Sequence, residues 1–203
     1  MELKPTINRK GKNMKAIAVN GSPRKNGNTY IMLKAVLDEL EKRGIETELI
    51  QAGGRDIHGC VACGYCRKSP EPRCAFSDDI INESVSKIAE ADALILGSPV
   101  YFGSLTAQMK AFIDRVGYIT RPHRTLKGKV CASVAVARRN GALTAFNAMN
   151  NLFTISEGIV IGSSYWNQGV GREEGEVEND AEGIQTMITL ANNIADVLLA
   201  LKK

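Results

Sequence analysis

Four of the five cysteines fall in one short stretch, Cys60-x2-Cys63-x2-Cys66-x7-Cys74, and Cys131 stands apart. Three thiols at two-residue intervals can wrap one compact thiolate-bound cluster, as in the C-x2-C-x2-C run of bacterial ferredoxins. In two-cluster proteins the fourth cysteine of that run serves the other cluster. No second cysteine set exists here, so Cys74 is available to close a single 4Fe–4S cubane. Structural zinc usually takes two pairs with a longer spacer, and a C-x-x-C redox pair leaves two thiols idle. The spacing therefore puts a 4Fe–4S cluster first, zinc second, and disulfide-linked or vestigial cysteines third. His58, Arg67, Lys68 and Arg73 flank the four thiols. Positive charge there favours a reduced cluster and an acidic donor; solvated loop residues have the same composition.

A second chemistry-bearing stretch is Asn20-Gly-Ser-Pro-Arg-Lys-Asn-Gly-Asn-Thr29. Ser22 and Thr29 bring hydroxyls, Asn26 and Asn28 bring amides, and Arg24 brings a charged fork. With glycines that let backbone N–H groups approach an anion at a helix N-terminus, the set suits a terminal phosphate. Neither GxxxxGK[ST] nor G-x-G-x-x-G fits it, which points to a mononucleotide-type phosphate rather than ATP or a dinucleotide pyrophosphate. A plain turn with a helix cap is the alternative.

The elements that must position these residues alternate strand and helix. Lys15–Asn20 is a short apolar strand, followed by a helix carrying Tyr30, Leu33, Leu37 and Leu40 until Gly44. Further strands are expected at Thr47–Ala52, Ala93–Gly97, Val130–Ala137 and from Ile159 to Gly162, with helices at Leu105–Val116 and about Leu143–Phe153. Ile184, Met187, Ile188, Ala191, Ile194, Ala195 and Leu198 mark a final amphipathic helix. Unbroken apolar strands imply a parallel sheet covered on both faces. Five of them suit the α/β flavodoxin-like order 2-1-3-4-5, which binds ligands at the strand carboxyl ends. The long connection 53–76, which holds all four clustered cysteines, leads to a helix expected to start at Ser77 or Asp78. Residues 1–13 read as a flexible arm, 14–203 as one domain, and Arg172–Asp180 as an exposed loop.

GSPRKNGNT followed by GSPVYFGSLTAQMKAFIDR resembles the NADPH-dependent FMN reductase and iron–sulfur flavoprotein superfamily, over nearly all of 14–170. The resemblance implies FMN, its phosphate held by Ser22, Arg24, Asn26, Asn28 and Thr29. It places Pro99, Val100, Tyr101, Phe102 and Gly103 along the flavin ring, with Arg138, Arg139, Asn140 and Gly141 as third-loop candidates. It also implies a 4Fe–4S cluster on Cys60, Cys63, Cys66 and Cys74 that exchanges electrons with FMN, and a homodimer or homotetramer. The expected donor is a ferredoxin-like protein or NAD(P)H, and the expected acceptor a small molecule such as oxygen, peroxide or a quinone. A flavin needs flat surfaces and backbone N–H groups along one ring edge, which a Pro-x-aromatic-aromatic-Gly loop supplies. Tyr101 and Phe102 also suit core or dimer contacts. Two other readings stay open: an NAD(P)H-dependent FMN or quinone reductase without a cluster, and a zinc-stabilised binding module without catalysis. Asp114-Arg115 reads equally as a motif remnant or as a surface or subunit ion pair, and Cys131 as a buried small hydrophobe.

Composition narrows the field. At 203 residues and 22.0 kDa, with 44% hydrophobic and 24% charged residues, the chain is an ordinary globular domain. The net charge of +4 is badly placed for nucleic acid. Lys4, Arg9, Lys10 and Lys12 against Glu2 put +3 of it in residues 1–13, and aromatics are only 5%. No apolar run approaches the roughly 18 residues of a membrane span, and the polar, basic N-terminus lacks a secretory pattern. The expectation is a cytoplasmic protein with no membrane partner.

Overall fold

Lys15–Asn20 becomes strand β1 because Ala16 to Val19 are all enclosed, alternate residues facing opposite layers of core. In the computed structural model, which describes residues 13–202, β1 pairs in parallel with β2 (Glu46–Gln51) on one side and β3 (Ala93–Pro99) on the other. β4 (Val130–Ala137) pairs with β3 and is buried along its whole length. The expected order 2-1-3-4-5 is the observed one. The predicted arm at 1–13 lies, apart from Asn13, outside the described residues.

Ile17, Val19, Leu94 and Leu96 face one layer, built by α3 (Ile81–Glu90), α4 (Ala107–Thr120) and α5 (Ala142–Ile155). Ala16, Ala18, Ala93 and Ile95 face the other, built by α1 (Asn28–Lys42) and α6 (Ala181–Lys202). This two-sided burial is why the strands read as continuous apolar runs. By length and composition α6 is apolar enough to cross a bilayer, contrary to the expectation drawn from apolar runs. Its Met187, Leu190, Ala191, Ile194 and Leu198 are instead packed in the core that α1 shares.

Three details depart from the sequence reading. The fifth strand is split: β5 (Ile159–Val160) pairs with Val130 and Cys131, while β6 (Gln168–Val170) pairs with Ala135 to Ala137. Between them the Ser163 hydroxyl donates to the Tyr165 carbonyl (2.7 Å) and bonds Asn167 Oδ1 (2.6 Å), a local network that competes with the ladder. Helix α3 starts at Ile81 rather than Ser77 or Asp78, because Asn82 Nδ2 donates to the carbonyls of Cys74 (3.2 Å) and Phe76 (2.9 Å) and keeps that stretch as loop. Finally, Arg172–Asp180 is no simple exposed loop. Glu176–Asn179 forms a 3-10 turn whose Val177 is fully buried.

Candidate cofactor sites

Three loops at the carboxyl ends of β1, β3 and β4 meet, and close backbone approach is what brings them together. After β1, the Gly21 N–H donates to the Gly97 carbonyl at the end of β3 (2.7 Å). A Cβ at Gly21 falls 2.8 Å from Met109 Cε and 3.0 Å from the Gly97 oxygen, so glycine is required there. Asn20 Oδ1 accepts from the Ser22 N–H (3.0 Å), and Thr106, the N-cap of α4, donates its hydroxyl to the Gly21 carbonyl (2.8 Å). These contacts fasten the loop to the ends of β1 and β3.

The start of α1 is built to receive an anion. Its N-cap, Gly27, offers no capping side chain, so its first N–H groups have no side-chain acceptor from that residue. The Thr29 hydroxyl is buried and has no partner, an unsatisfied donor beside those N–H groups. Ser22 is buried and its hydroxyl accepts from the Arg24 N–H (3.2 Å). Arg24 and Asn26 are exposed, Arg24 reaching the Arg172 carbonyl (3.3 Å). Asn28 is partly engaged within the fold. Its Nδ2 donates to the Glu173 carbonyl (2.8 Å) and its Oδ1 accepts from the Val177 N–H (3.4 Å), so its side chain fastens the 3-10 turn to α1.

The loop after β3 supplies flat exposed surface. Tyr101 and Ser104 exchange backbone hydrogen bonds (2.8 and 3.1 Å) around a two-residue turn with Phe102 at φ +47° and Gly103 at φ +81°. A phenylalanine in the left-handed region is unusual and strained, a state found mostly at functional sites. Phe102 is fully exposed and Tyr101 nearly half exposed, which removes the core-contact alternative for both. Pro99 and Val100 are half-buried, the Val100 N–H donating to the Val136 carbonyl (2.8 Å). In the loop after β4, Arg138, Arg139 and Asn140 are exposed. Gly141 (φ +95°) is so close to the second loop that a Cβ falls 2.8 Å from Val100 Cγ1 and 3.2 Å from Gly103 Cα.

The cysteine segment leaves the same edge. A Cβ at Gly53 lies 2.1 Å from the Ser22 carbonyl carbon, so the segment begins in backbone contact with the first loop. Positive φ at Ala62 (+54°) and Gly64 (+74°) coils the chain between Cys60 and the short helix α2 (Tyr65–Lys68). All four clustered thiols are free and line one cavity of about 200 Å³. Cys60 and Cys63 are exposed, while Cys66 and Cys74 pack against the core. Burial, followed by the charge of Cys60, pushes the Cys66 thiol pKa up. Among the described residues no three ligating side chains converge on a single-ion position.

Two side chains that hold this segment were not assigned to it from the sequence. Asn82 on α3 accepts from the Cys74 N–H (2.7 Å) and donates to two carbonyls beside it. Arg115 on α4 is buried and ion-paired with the equally buried Asp79. Burial pulls its pKa down, but hydrogen bonds with Asp79 and Cys74 more than offset this and leave it raised. The signal was an arginine on the helix stripe of Phe112, Val116 and Ile119. Asp114 is the surface partner, to Lys110 (2.5 Å). Cys131, as expected, is fully buried, and burial lifts its thiol pKa to about 12.

Residues 14–172 match the NADPH-dependent FMN reductase family. The chain belongs to that family. The FMN reductase fold is shared with a flavodoxin, WrbA-like protein from Agrobacterium tumefaciens, which superposes with a TM-score of 0.65 at 17% identity, over 93% of this chain and 99% of that one. Among curated relatives, an iron–sulfur flavoprotein of Methanocaldococcus jannaschii is 38% identical over 200 residues, covering 94% of this chain and all of that protein. One from Methanosarcina thermophila is 32% identical over 192 residues, covering 94% of this chain and 98% of its own length. This FMN reductase relative is therefore a flavin oxidoreductase, which displaces the non-catalytic binding module.

Proposed function

We propose that the protein is an iron–sulfur flavoprotein that carries electrons from a one-electron donor, by way of a 4Fe–4S cluster and FMN, to a small-molecule acceptor. The observation that carries this reading is the set of four free thiols, Cys60, Cys63, Cys66 and Cys74, around one cavity in a flavin oxidoreductase. When bound, FMN exchanges one or two electrons and the cluster one. No side chain is needed as a nucleophile; the chain's work is to hold two cofactors close and tune them.

In this reading the Thr29 hydroxyl, Ser22, the free N–H groups of α1 and the Arg24 and Asn26 side chains hold the FMN phosphate. Asn28 joins them with its second amide N–H while it clamps the 3-10 turn. Pro99 to Gly103 lie along the ring, the strained turn presenting Tyr101 and Phe102 as flat walls. Arg138 to Gly141 close the third side. The exposed Arg67, Lys68 and Arg73 beside the thiols favour an acidic ferredoxin-like donor. The exposed Phe102 suits burial by a second copy in a homodimer or homotetramer. Function in the reducing cytoplasm fits five free cysteines.

The test is an anaerobic purification followed by an absorption spectrum and assays for iron, acid-labile sulfide, zinc and flavin. About four irons and four sulfides per chain with one FMN are expected. Flavin without iron or sulfide overturns the cluster. It leaves the second reading, an NAD(P)H-dependent FMN or quinone reductase, which the matching family favours; rapid NADPH oxidation by cluster-free protein then supports it.

A further inference from the structure

Arg115 occupies a place where the fold needs an apolar side chain. It shares the buried stripe of α4 with Phe112, Val116 and Ile119 and is 1% exposed. Its guanidinium is committed in several directions at once. It pairs with Asp79, donates through Nη1 to the His58 carbonyl (3.3 Å) and through Nη2 to the Phe76 carbonyl (3.4 Å), and stands 5.7 Å from the Phe76 ring. His58 lies just before Cys60 and Phe76 just after Cys74, and their rings stack at 5.9 Å. One side chain thus ties both ends of the cysteine segment to a core helix.

The fork is not fully used. Arg115 borders the cavity lined by the four thiols, and its Nε–H is buried without an acceptor. A buried donor left without an acceptor is costly, and a buried ion pair is often no better for stability than apolar residues of the same volume. A buried charge that is poor for stability and borders a cavity of thiols is explained by a role toward a cluster held in that cavity.

We propose that Arg115 is a positioning residue for the cluster: it pins the two ends of the cysteine segment and sets its charge at the edge of the cavity the thiols line, slowing iron loss and raising the reduction potential. Nearby positive charge stabilises the more negative, reduced form. The inference rests on the cavity being the 4Fe–4S site.

The test uses the whole anaerobically purified protein and two variants. Arg115→Gln combined with Asp79→Asn removes the charge and the fork without stranding a buried ion. Arg115→Lys keeps the charge and loses the fork. FMN content and a thermal melt report on the fold, iron release to a chelator reports on retention, and a redox titration reports the cluster potential. The double variant is expected to hold FMN as wild type does, to release iron about 10–100-fold faster, and to have a more negative potential. Arg115→Lys is expected to release iron faster while keeping a potential near wild type. A folded, FMN-loaded double variant with wild-type iron release and potential overturns the proposal. If the double variant does not fold, Arg115→Lys decides: faster iron release supports it, and wild-type release overturns it. Wild-type protein without iron and sulfide overturns the cluster reading and this proposal together; loaded wild type with unchanged variants overturns the proposal alone.

Discussion

The strand-end cradle and the cysteine segment are neighbours held in different ways. The cradle is held mainly by backbone contacts, with the Asn20 and Thr106 side chains bracing its first loop. Gly21 bonds Gly97, Val100 bonds Val136, and Gly141 abuts Val100 and Gly103. Its loops are placed by where parallel strands end, so any chain that forms this sheet brings them together. The cysteine segment lies outside the sheet and is held by side chains, chiefly Asn82 and Arg115, reaching from two helices. Gly53 is the joint between them. The difference teaches that a flavin site can be inherited with the topology, whereas the thiol site must be fastened separately. The two should therefore fail independently.

The largest effect expected is all-or-none. Cys63→Ser removes one corner ligand, and the iron, sulfide and cluster absorbance should disappear while one FMN per chain stays; loss of both cofactors in a folded variant contradicts the separation. Next, Asp79→Ala strands the Arg115 charge in the core, and breaking a buried pair from one side costs about 3–5 kcal/mol. Denaturant unfolding of the cofactor-free protein should show that loss, because the pair belongs to the fold as well as to the segment. A smaller and more selective change is Thr29→Val. It removes a buried hydroxyl that has no partner, so cofactor-free stability should stay level or rise. FMN should bind about 10–100-fold more weakly, as the loss of a charge-assisted hydrogen bond of about 1.5–3 kcal/mol implies, with iron content unchanged. Equal loss of iron and FMN undoes the comparison.

The smallest effect concerns the frame common to both sites. Glu48 on β2 accepts from Lys15 on β1 (2.8 Å) and Lys87 on α3 (2.8 Å). These hydrogen bonds hold its carboxyl pKa below the ordinary 4.5. A depressed carboxylate stabilises the folded state above its unfolded pKa and loses that contribution as pH falls through the lower folded value. Glu48→Gln should therefore cost about 0.2–1 kcal/mol at neutral pH. The gap from wild type should narrow and vanish under acid, in unfolding curves taken from pH 7 to pH 3.

Much of this was legible along the chain because the information is local. The runs Lys15–Asn20 and Val130–Ala137 carry their burial in their own composition, and Gly21 and Gly141 carry the demand for close approach. The cysteine spacing names its chemistry because residues that wrap one centre must sit near one another in sequence. Other features depend on partners far away. Asn28 reads only as a phosphate donor, and its second task, fastening the 3-10 turn, needs Glu173 and Val177, about 145 residues on. The fifth strand looks continuous until Ser163 and Asn167 divert it, and Arg115 looks like a surface charge until Asp79 meets it.

Residue type and spacing, then, determined the sheet order, the family and the thiol set, since hydrophobic period and motif spacing are short-range properties of the chain. Only the tertiary structure decided which polar side chains are spent on the fold and which remain free. That choice turns on burial: in the low-dielectric interior an unpaired donor is costly, so Asn28 is partly engaged by backbone partners while Thr29 Oγ1 and Arg115 Nε have none.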